Sequence, residues 1–181
     1  MFIDTENSLL VIVDVQQKLM NAMSNSEKCL AKVKLLANAL SVMNVPVIVT
    51  EQYPKGLGPT VDSVREVLAP DTVFIEKSAF SCCGAEEFNQ QIIQADRKNI
   101  ILCGVESHVC VLQTAVALLS KGYNVFLCAD AASSRCENDK DLALSYLCHA
   151  GVSVLSTESI IFALLKDSKH PAFKTVSALL K

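Results

Sequence analysis

Six short runs of branched aliphatic residues, each followed by a stretch of helical period, constrain this 181-residue chain more than any other feature. The runs are Leu9–Asp14, Pro46–Thr50, Thr72–Glu76, Asn99–Cys103, Asn124–Ala129 and Val152–Ser156. Most are nearly continuous in Val, Ile and Leu, the pattern of strands covered on both faces in a parallel sheet. Between and after them the spacing predicts helices over Glu27–Met43, Val61–Leu68, Ala85–Ala95, Ser107–Lys121, Asp139–Ala150, Glu158–Leu165 and His170–Leu180. In the first of these, Leu30, Val33, Leu36, Leu40 and Met43 form one stripe. Gly122 and Gly151 each follow a helix and precede a strand, where a left-handed stop is needed. Six βα units in succession imply right-handed crossovers and a three-layer α/β/α sandwich, one domain over residues 1–181. The doubly wound order 3-2-1-4-5-6 is expected for its six-stranded parallel sheet.

Composition removes several classes of function. Apolar residues make up 51% and charged residues 19%, so the chain can bury a core and is not disordered. The net charge of −3, with lysines scattered, argues against nucleic-acid or polybasic membrane binding. No apolar run reaches the roughly 18 residues of a membrane span. The acidic start Asp4-Thr5-Glu6 resembles no secretory or transit signal, and the ending Leu179-Leu180-Lys181 is not a peroxisomal one. A cytoplasmic protein is expected. Of eight cysteines, Cys29, Cys103, Cys128 and Cys148 fall inside predicted elements, no C-x-x-C occurs, and the close pair Cys82-Cys83 is vicinal. Reduced thiols fit better than a disulfide framework or zinc. The three histidines form no His-x-His or His-x-x-x-His pair, so no metal or other cofactor is expected. Gly104 stands alone where a dinucleotide fingerprint needs three glycines, and neither a phosphate-binding loop nor a G-x-S-x-G elbow appears.

Three residues carry the chemistry that remains. Cys110 follows the strand Asn99–Cys103 and opens a helix, where free N–H groups and the dipole favour thiolate over thiol. Its plain alternative is a small residue filling space under the helix. Asp14 ends Leu9–Val13, and a partly desolvated carboxylate there is suited to take a proton from a thiol; it could equally cap the following turn. Lys77 follows Val73–Ile75, where an ammonium would favour thiolate and stabilise a developing oxyanion, or simply lie in solvent. In the expected strand order Asp14 and Cys110 share one crevice, whereas Lys77 lies two strands, about 9–10 Å, away and must lean inward on its loop. Glu51–Thr60, with two Pro and two Gly, is a shaped loop at a strand's carboxyl end, where open α/β sheets bind ligands. His108, beside Cys110, is a candidate to line the site. The apolar tail Ala172, Phe173, Val176, Leu179 and Leu180 suits a subunit contact or docking on its own domain.

Val11-Ile12-Val13-Asp14-Val15-Gln16, Glu76-Lys77-Ser78-Ala79-Phe80-Ser81 and Gly104-Val105-Glu106-Ser107-His108-Val109-Cys110-Val111 resemble, in order, the three signature segments of the isochorismatase-like, or cysteine hydrolase, superfamily. The segments Thr50–Gly58 and Ala129–Arg135 look closest to its isochorismatase domain-containing branch. The resemblance implies that Asp14 deprotonates Cys110, that the sulfur attacks an amide or related carbonyl to give a thioester, and that Lys77 balances charge. It implies an oxyanion hole from the backbone N–H groups of Glu106 and Cys110, a cis peptide between Val105 and Glu106, and a homo-oligomer acting on a small molecule. Gln16, Tyr53, Phe80 and His108 are the pocket candidates. Where nicotinamidases of the superfamily carry Asp-x-His for a metal, this chain reads Glu51-Gln52-Tyr53, which disfavours that chemistry. A ligand-binding or scaffold protein without turnover, and a thiol redox protein pairing Cys110 with Cys82 or Cys83, remain as alternatives.

Overall fold

The structure, a computed structural model, describes residues 3–180. Its strands are β1 (Ser8–Val13), β2 (Val47–Gln52), β3 (Val73–Lys77), β4 (Asn99–Val105), β5 (Asn124–Ser133) and β6 (Ser153–Leu155). They form one parallel sheet in the order β3-β2-β1-β4-β5-β6. The helices are α1 (Gln17–Met20), α2 (Ser26–Val42), α3 (Pro54–Leu57), α4 (Asp62–Arg65), α5 (Glu86–Ala95), α6 (Leu112–Ser120), α7 (Glu137–Ala150), α8 (Thr157–Leu165) and α9 (Phe173–Leu179). Helices cover both faces, so the expected α/β/α sandwich and strand order are what the chain adopts.

Every residue of β1 is buried because β2 and β4 flank it and helices cover both of its faces. Leu10 and Ile12 face a layer built with Val33, Leu36 and Leu40 of α2, Ile160 and Leu164 of α8, and Val176 of α9. Leu9, Val11 and Val13 face the opposite layer, with Phe88 and Ile92 of α5, Ala115 and Leu118 of α6, and Leu147 of α7. Burying each such large side chain contributes about 1.5–3 kcal/mol, so the two-sided pattern is the main driving force. The apolar tail docks at home: Val176 is buried in the α2 layer, with Phe173 and Leu180 packed against it.

Several boundaries differ from expectation for identifiable reasons. Strand β5 runs to Ser133, not Ala129, because a register shift lets Ala132 and Ser133 rejoin β4 opposite Gly104 and Val105. The helix expected over Ser107–Lys121 opens with a π-wound turn, Ser107–Val111, before α6 begins. The stretch Val61–Leu68 keeps only one α-helical turn, α4. Gly151 ends α7 at φ 103°, the left-handed stop anticipated from its position.

Beyond its end, β5 ties the two faces together. Ser24, just before α2, donates its N–H (3.0 Å) and hydroxyl (2.7 Å) to the Ser134 carbonyl, while Ser133 Oγ donates to the Ser24 carbonyl (2.5 Å). Asn25 Nδ2 donates to Glu137 at the start of α7 (2.8 Å).

Candidate active site

Asp14, Lys77 and Cys110 meet at the carboxyl ends of β1, β3 and β4. Asp14 is the first residue past β1 and adopts φ +52°, a left-handed conformation that Asp tolerates better than most residues. Gly104 makes the neighbouring strand's approach feasible. It pairs with Val13, at φ +114°, and a Cβ there would lie 2.1 Å from the Val13 carbonyl oxygen.

Lys77 is the last residue of β3 rather than part of the loop beyond it, paired in register with Gln52 of the intervening β2. Its Nζ donates to Asp14 Oδ2 at 2.6 Å, and both side chains are wholly buried. It also donates to Gln52 Oε1 (2.7 Å) and toward the carbonyls of Phe80 (3.1 Å) and Ala79 (3.3 Å). An ammonium has three N–H groups, so all are committed within the protein. Burial is the largest single influence and would drive this lysine toward neutrality, but the Asp14 carboxylate, with Cys82 and Cys110 adding to it, holds the pKa above the ordinary value.

The other Asp14 oxygen, Oδ1, accepts from Thr50 Oγ1 at 2.8 Å. That hydroxyl in turn lies 3.6 Å from Cys82 Sγ, and Thr114 Oγ1 accepts from the Cys82 N–H (2.9 Å). Sequence reasoning did not single out Thr50, Gln52 or Thr114 for the site. Thr50 and Gln52 are alternate residues of β2 and share the face of Ile48, a signal available from the period of two.

Cys110 lies in the π-wound turn and is 7% exposed. The expectation of a resting thiolate is overturned. Burial, followed by the Asp14 carboxylate, pushes the thiol up to about 12 despite the opposing pull of Lys77. The dipole argument omitted both. Burial also pushes Cys82 up to about 12.

The Val105–Glu106 peptide is cis. Val109 and Val111 both donate to the Glu106 carbonyl, at 3.1 and 3.2 Å, stepping over Cys110. Among the described residues the Glu106 N–H finds no acceptor. The segment is held against the end of β5 by four contacts: Glu106 Oε2 accepts from Arg135 Nε (3.0 Å) and from the Arg135 N–H (3.2 Å), Ser107 Oγ donates to the Ser133 carbonyl (3.0 Å), and His108 Nδ1 lies 2.9 Å from Ser134 Oγ. The Glu106 carboxylate is therefore paired with a guanidinium.

The remaining candidates border the ion pair through their backbones rather than joining it. Gln16 is fully buried, with its amide bonded to Gln52 and Gly58. Tyr53 is 61% exposed at φ +37°, and its ring lies over Gly56, where a Cβ would come within 2.2 Å of it. Phe80 is 55% exposed at the rim, its carbonyl facing Lys77. A cavity of about 500 Å³ opens at the opposite edge of the sheet, among Leu9, Pro46, Val73 and Ala95. It lies at the starts of the strands, away from Cys110, and its lining includes no thiol. No group of three or more His, Cys, Asp or Glu residues converges as a metal site among the described residues, and none of their helices is long and apolar enough to cross a membrane.

Known proteins resemble this chain in sequence and in fold. A zebrafish (Danio rerio) protein, isochorismatase domain-containing protein 2, is 37% identical over 179 residues, covering 98% of this chain and 89% of that one. A solved structure from Caenorhabditis elegans, described as MAR1 ribonuclease, superposes with a TM-score of 0.95 at 37% identity, covering 99% and 92% of the two chains. The Escherichia coli YcaC product, described as an octameric hydrolase of unknown specificity, shares the fold at a TM-score of 0.94 and 22% identity, over 99% and 89%. Residues 8–159 match the isochorismatase domain, and the chain belongs to the isochorismatase family.

Proposed function

We propose that this protein hydrolyses a small amide or related carbonyl compound through a thioester on Cys110, with Asp14 as base and acid. One observation carries the reading: a single buried carboxylate is held by Lys77 at 2.6 Å and by Thr50 at 2.8 Å, and its charge acts on the thiol of Cys110. Burial and the Asp14 carboxylate hold that thiol well above its ordinary value, so it rests protonated at pH 7 and proton transfer accompanies attack. The sulfur bonds to the carbonyl carbon as its proton passes to Asp14. The carbonyl electrons move onto oxygen, toward the N–H groups of Glu106 and Cys110. Collapse expels the leaving group, which takes the proton from Asp14. Water then attacks the thioester, Asp14 accepting one of its protons, and the departing thiolate recovers that proton. Lys77 acts through Asp14 rather than by touching substrate, because its donors are already committed.

The name ribonuclease carried by the C. elegans neighbour raises RNA as a second substrate class. The net charge of −3 and the committed Lys77 weigh toward a neutral carbonyl compound instead. The test is intact-mass analysis after incubation with a panel of amides and esters, alongside product assays and an RNA substrate. An acyl mass on Cys110, lost in Cys110→Ala together with product, is the expected result. Turnover that survives Cys110→Ala, or RNA cleavage without acylation, overturns the reading. Thermal stabilisation by a panel compound with neither adduct nor product would instead mark a ligand-binding protein.

A further inference from the structure

We propose that Gln52, itself locked by Gln16, is a positioning residue that fixes the Lys77 ammonium against Asp14. The inference rests on the hydrolase reading above and concerns how its ion pair is assembled. Asp14 and Lys77 stand on strands β1 and β3, which are separated by β2, a span of about 9–10 Å between backbones. A lysine stem reaching across that span has four rotatable bonds and no geometry of its own. Its direction must be imposed by acceptors.

Gln52 supplies the acceptor from the strand in between. It pairs with Lys77 in register, and its Oε1 lies 2.7 Å from Nζ. The amide cannot turn over without loss, because its Nε2 donates to the Ser78 carbonyl at 2.8 Å. The Gln52 backbone is held with equal definition. Gln16 Oε1 accepts the Gln52 N–H (2.7 Å), and Gln16 Nε2 donates to the Gln52 carbonyl (3.0 Å) and to that of Gly58 (2.6 Å). Gln16 is fully buried, and this use of its side chain accounts for a polar residue at that depth. A continuous line of bonds thus runs from Gln16 through Gln52 and Lys77 to Asp14.

The ionisable groups gathered on this face are Asp14, Lys77, Cys82 and Cys110; Glu51, the odd-numbered neighbour on β2, pairs with Arg65 instead. Losing the Gln52 acceptor removes the shortest contact besides Asp14 and leaves the wholly buried ammonium with Asp14 and the longer contacts to the carbonyls of Phe80 (3.1 Å) and Ala79 (3.3 Å). With its directing acceptor gone, the lysine shifts toward those carbonyls and away from Asp14, which weakens the positive field at Cys110.

The test reads the iodoacetamide alkylation rate of Cys110 by peptide mass spectrometry between pH 7 and 10. Intact protein is used, with exposed Cys136 as internal reference. Lys77→Met is expected to slow Cys110 at least tenfold at every pH. Gln52→Met should slow it three- to tenfold and leave Cys136 unchanged. Gln52→Met added to Lys77→Met should change nothing further. Gln52→Asn, which withdraws the amide by one methylene, should give the same sign and covers the case in which Gln52→Met does not fold. An unchanged rate in both Gln52 variants, or equal slowing with and without Lys77, overturns the positioning role while leaving the hydrolase reading intact. An unchanged rate in Lys77→Met removes the coupling of thiol and ion pair on which both depend.

Discussion

Removing one partner of the Asp14–Lys77 pair should cost far more stability than removing both. The pair is 2.6 Å long with neither side chain exposed. A buried ion left without its partner typically costs about 3–5 kcal/mol, which for a chain of this size lowers the melting temperature by roughly 6–20 °C. Lys77→Met strands the Asp14 carboxylate with only Thr50 to bond it, and Asp14→Asn strands the ammonium; Asn is chosen because position 14 is left-handed. The double variant buries no charge and should recover more than about 2 kcal/mol of the summed losses, a coupling readable in a double-mutant cycle from urea unfolding at pH 7.5. The pH dependence has a definite sign. The Lys77 pKa is raised in the folded state, so its contribution is whole below the ordinary value of 10.5 and is lost as pH climbs through the higher folded value. The difference between the parent and Lys77→Met should therefore hold constant to about pH 10 and shrink above it. Single variants each costing under about 1 kcal/mol, or strictly additive losses, would refute the reasoning.

Three further outcomes are expected. Gly104→Ala sets a methyl 2.1 Å from a backbone oxygen at φ +114° and should cost more than about 3 kcal/mol by denaturant unfolding, with retention of parental stability counting against the described approach of β4 to β1. At pH 7.5 without substrate, iodoacetamide should label exposed Cys136 and Cys148 before Cys110, since burial and Asp14 keep that thiol protonated; peptide mapping that finds Cys110 first would contradict this. Glu51 is buried, but its hydrogen bonds to the Thr60 N–H and hydroxyl and to Arg65 overcome the cost of burial and hold its carboxyl below the usual 4.5. Its contribution is thus whole above that value and lost as pH falls beneath it, so Glu51→Gln should flatten the acid arm of stability against pH.

Strand positions were legible wherever two-sided burial leaves an unbroken apolar run: β1 and β4 begin and end within two residues of the expected bounds. Strand β5 was undershot because Asp130 interrupts the apolar run, although the chain returns to the sheet beyond it through a register shift. Asp14 and Lys77 could be picked out because each charged side chain sits where an aliphatic run gives way at a strand's carboxyl end, and Cys110 because it opens the helical stretch after such a run. Thr50 and Gln52 escaped notice for the opposite reason. Uncharged polar residues at a strand terminus look like the start of a loop, and only their alternation on the face of Ile48 marks them as inward. The protonation of Cys110 was misjudged because a helix start was weighed without the carboxylate that the fold sets beside it.

The clasp between Ser24, Ser133 and Ser134 has a wider consequence. The same short stretch of backbone that receives the linker before α2 also anchors Glu106, Ser107 and His108 on the far side of the sheet. Ser24, far upstream of Cys110 in the chain, is thereby linked to the Cys110 turn through Ser133 and Ser134. Ser24→Ala, though Ser24 bonds to neither Asp14 nor Lys77, should therefore alter the alkylation rate of Cys110.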